Sequence, residues 1–166
     1  MFTMLFLEKI KKISLNIATF GRLGRLGRVG GIIASVVAFP LIFSGKFIYE
    51  ISPQFFWWMV AIFSAISFFV VFLANLYLPE EDSSRIIYDE VIGVLVAFIY
   101  VPLAWKIMVF GFILFHIINF LRPFLFCNFL GRKIENLPLG IGIFAGDLIS
   151  GLVCNLFLQL MVWVMA

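Results

Sequence analysis

Three sets of polar side chains interrupt an otherwise apolar chain. Asp89 and Glu90 stand together where an acidic connection turns into a long apolar run. His116, Asn119 and Arg122 are spaced three apart, so they line one broad face of a helix. Asp147 is a single acid in the last apolar stretch, beside Gly146. Ionisable groups inside membrane segments are costly and mark functional sites by default. Carboxylates and an amide oxygen suit a hard cation such as Mg²⁺, and the lack of Cys/His clusters argues against zinc. A cation on Asp89, Glu90, Asn119 and Asp147 would hold a phosphate and lower the pKa of an attacking water. Arg122 would pair bidentately with phosphate oxygens. Together these residues point to phosphoryl chemistry on a lipid headgroup.

Each set also has a plainer role. Asp89 and Glu90 fit a solvated helix start favoured by the helix dipole. His116 fits a hydrogen-bonded structural histidine, Asn119 an interhelical amide and Arg122 a snorkelling cation at a helix end. Asp147 fits a plain role least, because a buried carboxylate needs a partner.

The elements that must position these groups follow from composition. Of 166 residues, 64% are hydrophobic and only 13% charged, and the mean hydropathy is +1.16. Soluble domains sit near half apolar and a quarter charged, so the expected class is an all-α integral membrane protein. A compact bundle of four to five hydrophobic helices is expected, some short or kinked, behind an N-terminal amphipathic segment. Six of the twelve Lys/Arg residues precede Val29. That asymmetry orients a membrane protein with its N-terminus in the cytoplasm; it is not a nucleic-acid patch. Cys127 and Cys154 lie far apart beside apolar segments and are expected as free thiols. The charges follow the short apolar start Met1–Leu7 and no A-x-A-like site follows Val29–Phe43, which disfavours a secretory signal peptide.

Residues 1–28 form the expected interfacial segment, and residues 29–166 the membrane-embedded domain. Glu8–Phe20 mixes Lys9, Lys11 and Lys12 with Ile10, Ile13 and Ile17, as in a helix lying on a membrane surface. Gly21–Arg28, a three-residue Gly-Arg-Leu repeat, is either a loop for a lipid phosphate or a positive-inside anchor. Val29–Phe43 continues to Ile48 as a first span, with a kink expected at Pro40. Phe55–Leu78 is a second span of 24 residues without a charge, with Trp57, Trp58 and Tyr77 near its ends. Leu139–Met165 is the last span, and its glycines permit close helix approach.

Val91–Leu121 has two readings. As one helix its 31 residues would run about 46 Å and separate Glu90 from Arg122 across the membrane. Pro102 and Lys106 favour two helices instead, Val91–Ala104 and Lys106–Leu121, bent back so that both ends face the cytoplasm. Only the bent form brings all three polar sets to one pocket.

At these residues the chain resembles the phosphatidylglycerophosphatase A family of bacterial inner-membrane enzymes. The family pattern D-x-S-x-I-V-x-D-E-x-x-G is similar to Asp82, Ser84, Ile86, Ile87, Asp89, Glu90 and Gly93. F-R-x-x-D-x-x-K-P resembles Phe115, His116, Asn119, Arg122 and Pro123. G-x-G-I-x-x-D-D-x-x-A-G resembles Gly140, Gly142, Ile143, Gly146, Asp147, Ser150 and Gly151. The N-terminal P-G-T-x-G-S loop is similar to Leu26, Gly27, Arg28, Val29, Gly30 and Gly31. The resemblance implies Mg²⁺-dependent removal of the terminal phosphate of phosphatidylglycerophosphate, in a multi-pass protein whose active site faces the cytoplasm. Asp89, Glu90 and Asp147 are then the catalytic or metal carboxylates, and Arg122, His116 and Arg28 the phosphate contacts.

This chain departs from the patterns at three positions. His116 replaces an arginine, Asn119 an aspartate, and Gly146 the first of two adjacent aspartates. Asn119 still offers a carbonyl oxygen but no base, and Gly146 offers no side chain. An impaired relative that binds anionic lipid or scaffolds other proteins is therefore the alternative. A transporter is disfavoured, because Phe55–Leu78 supplies no polar path. Other phosphatase routes lack their residues: there is no D-x-D-x-[TV] motif, and Cys127 and Arg132 are one residue too close for C-x5-R.

Overall fold

A computed structural model describes residues 2–21, 23–76, 86–125 and 141–165. Seven α-helices account for most of them: α1 Phe2–Ala18, α2 Arg28–Ser35, α3 Ala38–Ile51, α4 Pro53–Asn75, α5 Tyr88–Ala97, α6 Trp105–Leu125 and α7 Ile141–Met165. A 3-10 turn, Leu23–Leu26, precedes α2. Among the described residues there is no strand, and four helical stretches are long and apolar enough to cross a membrane: Val29–Ile51, Pro53–Asn75, Trp105–Arg122 and Phe144–Met165. The expected all-α, multi-pass membrane class holds.

The outer surface carries many large apolar side chains. Phe47, Phe55, Trp58, Phe69, Leu156 and Trp163 are exposed, as a lipid-facing surface requires and an aqueous one would not tolerate. Helix ends follow local chemistry. Pro53 opens α4 at a position where its missing N–H costs nothing. Pro40 lies inside the first turn of α3, and its effect falls one turn earlier. Without an N–H at residue 40, the Val36 carbonyl has no α-helical donor and accepts from the Phe39 N–H at 3.0 Å. The first span therefore breaks at Val36–Val37 into α2 and α3.

α1 does more than lie on a surface. Its Ala18 packs with Val71, Ala74, Ile86 and Phe144 in a separate core cluster, while Lys9, Lys11 and Lys12 remain exposed.

Val91–Leu121 is two helices, as the bent reading expects, although the first is shorter. α5 stops at Ala97, not at Ala104, and residues 98–104 are turn and irregular chain. Pro102 disfavours helix in the residue before it and supplies no donor. Tyr100, at φ 57°, completes the turn in the left-handed region. α6 then returns antiparallel to α5, placing Phe98 against Gly111 and Gly93 against Phe115.

α5 is the hub of the bundle. Eight of its ten residues, Asp89 and Val91 to Ala97, are buried. It lies parallel to α7 at close range: a Cβ on Gly151 would overlap the Gly93 carbonyl, the near contact that small residues allow between membrane helices. Cys154 of α7 is buried and free, with its Sγ 3.5 Å from the Gly111 carbonyl oxygen. Cys127 lies outside the described residues.

Candidate active site at the start of α5

The site is built where α1, α2, α6 and α7 converge on the first turn of α5. The Ile87 N–H donates to the Ala18 carbonyl at 3.0 Å, which ties the start of α5 to the end of α1. Asp89 and Glu90 follow in that first turn, the end of a helix that favours negative charge. The solvated helix start is not what the structure shows. Asp89 is 2% exposed, and among the described residues neither of its carboxylate oxygens meets a hydrogen-bond donor. Burial raises its carboxyl well above the usual carboxylate range, Asp147 and Glu90 raise it further, and Arg122 opposes them.

On one side of Asp89 lies a paired cluster. Arg122 Nη1 donates to Asp147 Oδ1 at 2.6 Å. Asp147 is buried and also within hydrogen-bonding reach of Asn119 and Asp89. Two carboxylates in contact have no donor between them, so Asp89 and Asp147 must share a proton or a cation. Ser150 Oγ lies 3.2 Å from Asn119 Oδ1 and 3.0 Å from the Gly146 carbonyl oxygen, so its one proton serves either acceptor. Gly146 lies beneath the guanidinium, for a Cβ there would overlap Arg122 Nη1.

On the other side, Glu90 turns toward α2 and α6. A Cβ on Gly31 would overlap its carboxylate, so a larger residue there would force Glu90 to move. Glu90 Oε2 stands 3.9 Å from His116 Nδ1, and His116 Nε2 is 2.9 Å from Ser35 Oγ. The Ser35 hydroxyl also donates to the Ile32 carbonyl at 2.8 Å, so its bond with His116 is one in which the ring N–H donates. The ring sits edge-to-face with Phe112 and Phe115. Burial, and then Asp147, push the Glu90 carboxyl up to about 8, against the pull of Arg122.

The structure thus brings Asp89, Asn119, Arg122 and Asp147 into one cluster and sets Glu90 and His116 beside it. Arg28 opens α2, but its side chain lies outside what the structure describes, as do Asp82, Ser84 and Gly140. Among the described residues no three His, Cys, Asp or Glu side chains converge with metal-ligand spacing. Within that limit, two hard-oxygen carboxylates in contact, one with no donor, fit a Mg²⁺ ion that keeps several waters.

Ser35 and the pair Asn155–Gln159 were not singled out from sequence. Ser35 is the one hydroxyl in Val29–Phe43. Asp147, Gly151, Asn155 and Gln159 recur every fourth residue, a spacing that marks one polar stripe on α7 facing α5.

A helical membrane bundle with buried carboxylates and an arginine at one end of a half-length helix is the class that fold and site define. The family model for phosphatidylglycerophosphatase A matches residues 16–162, and the chain belongs to that family of lipid phosphatases. A Bacteroides thetaiotaomicron protein named "Putative phosphatidylinositol-3-phosphatase" is 32% identical over 89 residues, covering 51% of this chain and 52% of that protein. The chain therefore spans about half the length of the curated relative it matches. No solved structure matches it.

Proposed function

We propose that this protein removes the terminal phosphate of phosphatidylglycerophosphate to give phosphatidylglycerol, with Mg²⁺ at Asp89 and Asp147. The observation that carries the reading is Asp89, a buried acid with no donor, in contact with a second acid that an arginine already holds. A cluster built only for stability would leave neither oxygen of a buried carboxylate unsatisfied.

In this reading Asp89 and Asp147 hold the ion, with Asn119 steering Asp147 and Glu90 at the edge. When bound, Mg²⁺ polarises the phosphoryl group and acidifies a water. Arg122 neutralises charge on the phosphoryl oxygens and fixes their orientation. Glu90, backed on Gly31 with its Oε2 3.9 Å from His116 Nδ1, lines the entry, and Arg28 at the start of α2 adds a phosphate contact. The basic N-terminal segment supports a cytoplasm-facing orientation of this end of the bundle in a bacterial inner membrane.

The test is phosphate release by the purified protein in detergent, with and without Mg²⁺, from phosphatidylglycerophosphate and from phosphatidylinositol 3-phosphate. Mg²⁺-dependent release from the first, abolished by Asp89→Asn and Asp147→Asn, is expected. Preference for the second would move the substrate to that of the relative. No release from either would leave a lipid-binding or scaffolding protein.

A further inference from the structure

We propose that Arg122 and Gly146 act as one unit that builds a permanent cation into the acidic cluster, so that the cluster takes a single divalent ion, at Asp89. The inference rests on the metal reading above and deepens it by fixing how many ions the site accepts.

Gly146 makes room for the guanidinium. A Cβ at that position would overlap Arg122 Nη1 and come within 2.6 Å of Cζ. Any side chain there displaces the arginine. Seated on Gly146, Arg122 Nη1 lies 2.6 Å from Asp147 Oδ1, a short charge-assisted contact that commits this oxygen. Asp89 is the reverse case, buried with both oxygens uncommitted.

Charge agrees with geometry. With all three carboxyls ionised, Asp89, Glu90 and Asp147 would carry three negative charges against the one positive charge of Arg122. Two negative charges remain, which one divalent ion balances. Paired-ion sites place their metals about 3.5–4 Å apart, so a second ion here would have to sit beside Asp147. Here the place beside Asp147 is held by the guanidinium, and Glu90 is turned toward His116 and Gly31. A second ion beside Asp147 would meet the like charge of the guanidinium already held there.

Mn²⁺ is the probe, measured by spin resonance and calorimetry on the full chain in nanodiscs of zwitterionic lipid. The wild-type protein should bind one equivalent, and Asp89→Asn should weaken that binding at least about tenfold. Arg122→Gln and Gly146→Ala should both strengthen Mn²⁺ binding at least about fivefold or admit a second equivalent. Gly146→Ala keeps the arginine in the chain and only unseats it, so a shared direction assigns the effect to the seat itself. If Arg122→Gln does not fold, Gly146→Ala decides alone. Two equivalents in the wild type, or unchanged binding in the folded variants, would overturn the proposal. No Mn²⁺ binding at all would overturn it together with the metal reading, while the phosphate-release assay judges the lipid-phosphatase reading separately.

Discussion

At its C-terminal end α5 breaks at Ala97, deep among apolar neighbours, and α7 repairs the break. Asn155 Nδ2 donates to the Ala97 carbonyl at 3.0 Å and to the Ile99 carbonyl at 2.6 Å. Gln159 Nε2 holds Asn155 Oδ1 at 2.8 Å, which fixes the amide's orientation. At its N-terminal end α5 meets the same helix eight residues earlier, at Asp147, and there a buried carboxylate has no donor. Backbone that leaves its helix within a bilayer must find partners inside the protein, and the C-terminal end obeys. Such a carboxylate raises the free energy of the fold. Between two ends of one helix on one partner, the difference separates polar groups that hold the structure from polar groups held ready for something else.

The strongest way to break this comparison is Asp89→Asn. If the N-terminal end is functional, phosphate release should fall by about a hundredfold or more. The melting temperature of the metal-free protein should rise, because an acid is no longer held where ionisation is penalised. Loss of activity together with loss of stability would mean that Asp89 is structural and the two ends are alike.

Asn155→Leu sharpens the other end. It strands the buried Ala97 carbonyl and leaves the Ile99 carbonyl with only the longer Gln159 contact, and should cost about 1–3 kcal/mol for a carbonyl left unsatisfied. That loss appears as a lower melting temperature, with Mn²⁺ stoichiometry unchanged. Gln159→Leu, which removes the hold on Asn155 and a longer, 3.4 Å contact with the Ile99 carbonyl but leaves Asn155 in place, should cost less. A neutral Asn155→Leu would show that water or another group satisfies this end.

These two ends were not equally legible in the sequence. Asp89, Glu90, Arg122 and Asp147 announce themselves because charge in an apolar chain is rare and expensive, and motif order ties them together. Pro102 and the positive residues sufficed to expect the fold-back. The repair at Ala97 was not visible, because Asn155 and Gln159 are uncharged and blend into an apolar span. Their meaning depends on which carbonyls α5 leaves open, a fact of tertiary contact. Gly146 was legible only as a missing side chain. That the vacancy is filled by Arg122, a residue 24 positions earlier, depends on the α6–α7 packing. Pro40 misled by one turn, since a proline disrupts the carbonyl four residues before it and not its own position.

The smallest effect probes whether the N-terminal end is set for a cation or for a proton. Glu90 carries a folded-state pKa of about 8, above its ordinary value of 4.5. Between these values the folded protein binds the proton more tightly than the unfolded chain, so stability falls as pH rises from 5 to 8. The slope from this group is at most about 1.4 kcal/mol per pH unit. Glu90→Gln should flatten that part of the profile, measured by thermal melts of the metal-free protein. Mg²⁺ should flatten it as well, because a divalent ion beside Asp89 favours the ionised carboxylate and so brings the Glu90 pKa back down. Were Mg²⁺ to leave the slope untouched while Glu90→Gln removed it, Glu90 would be isolated from the ion. The cluster at Asp89 would then have to be drawn without it.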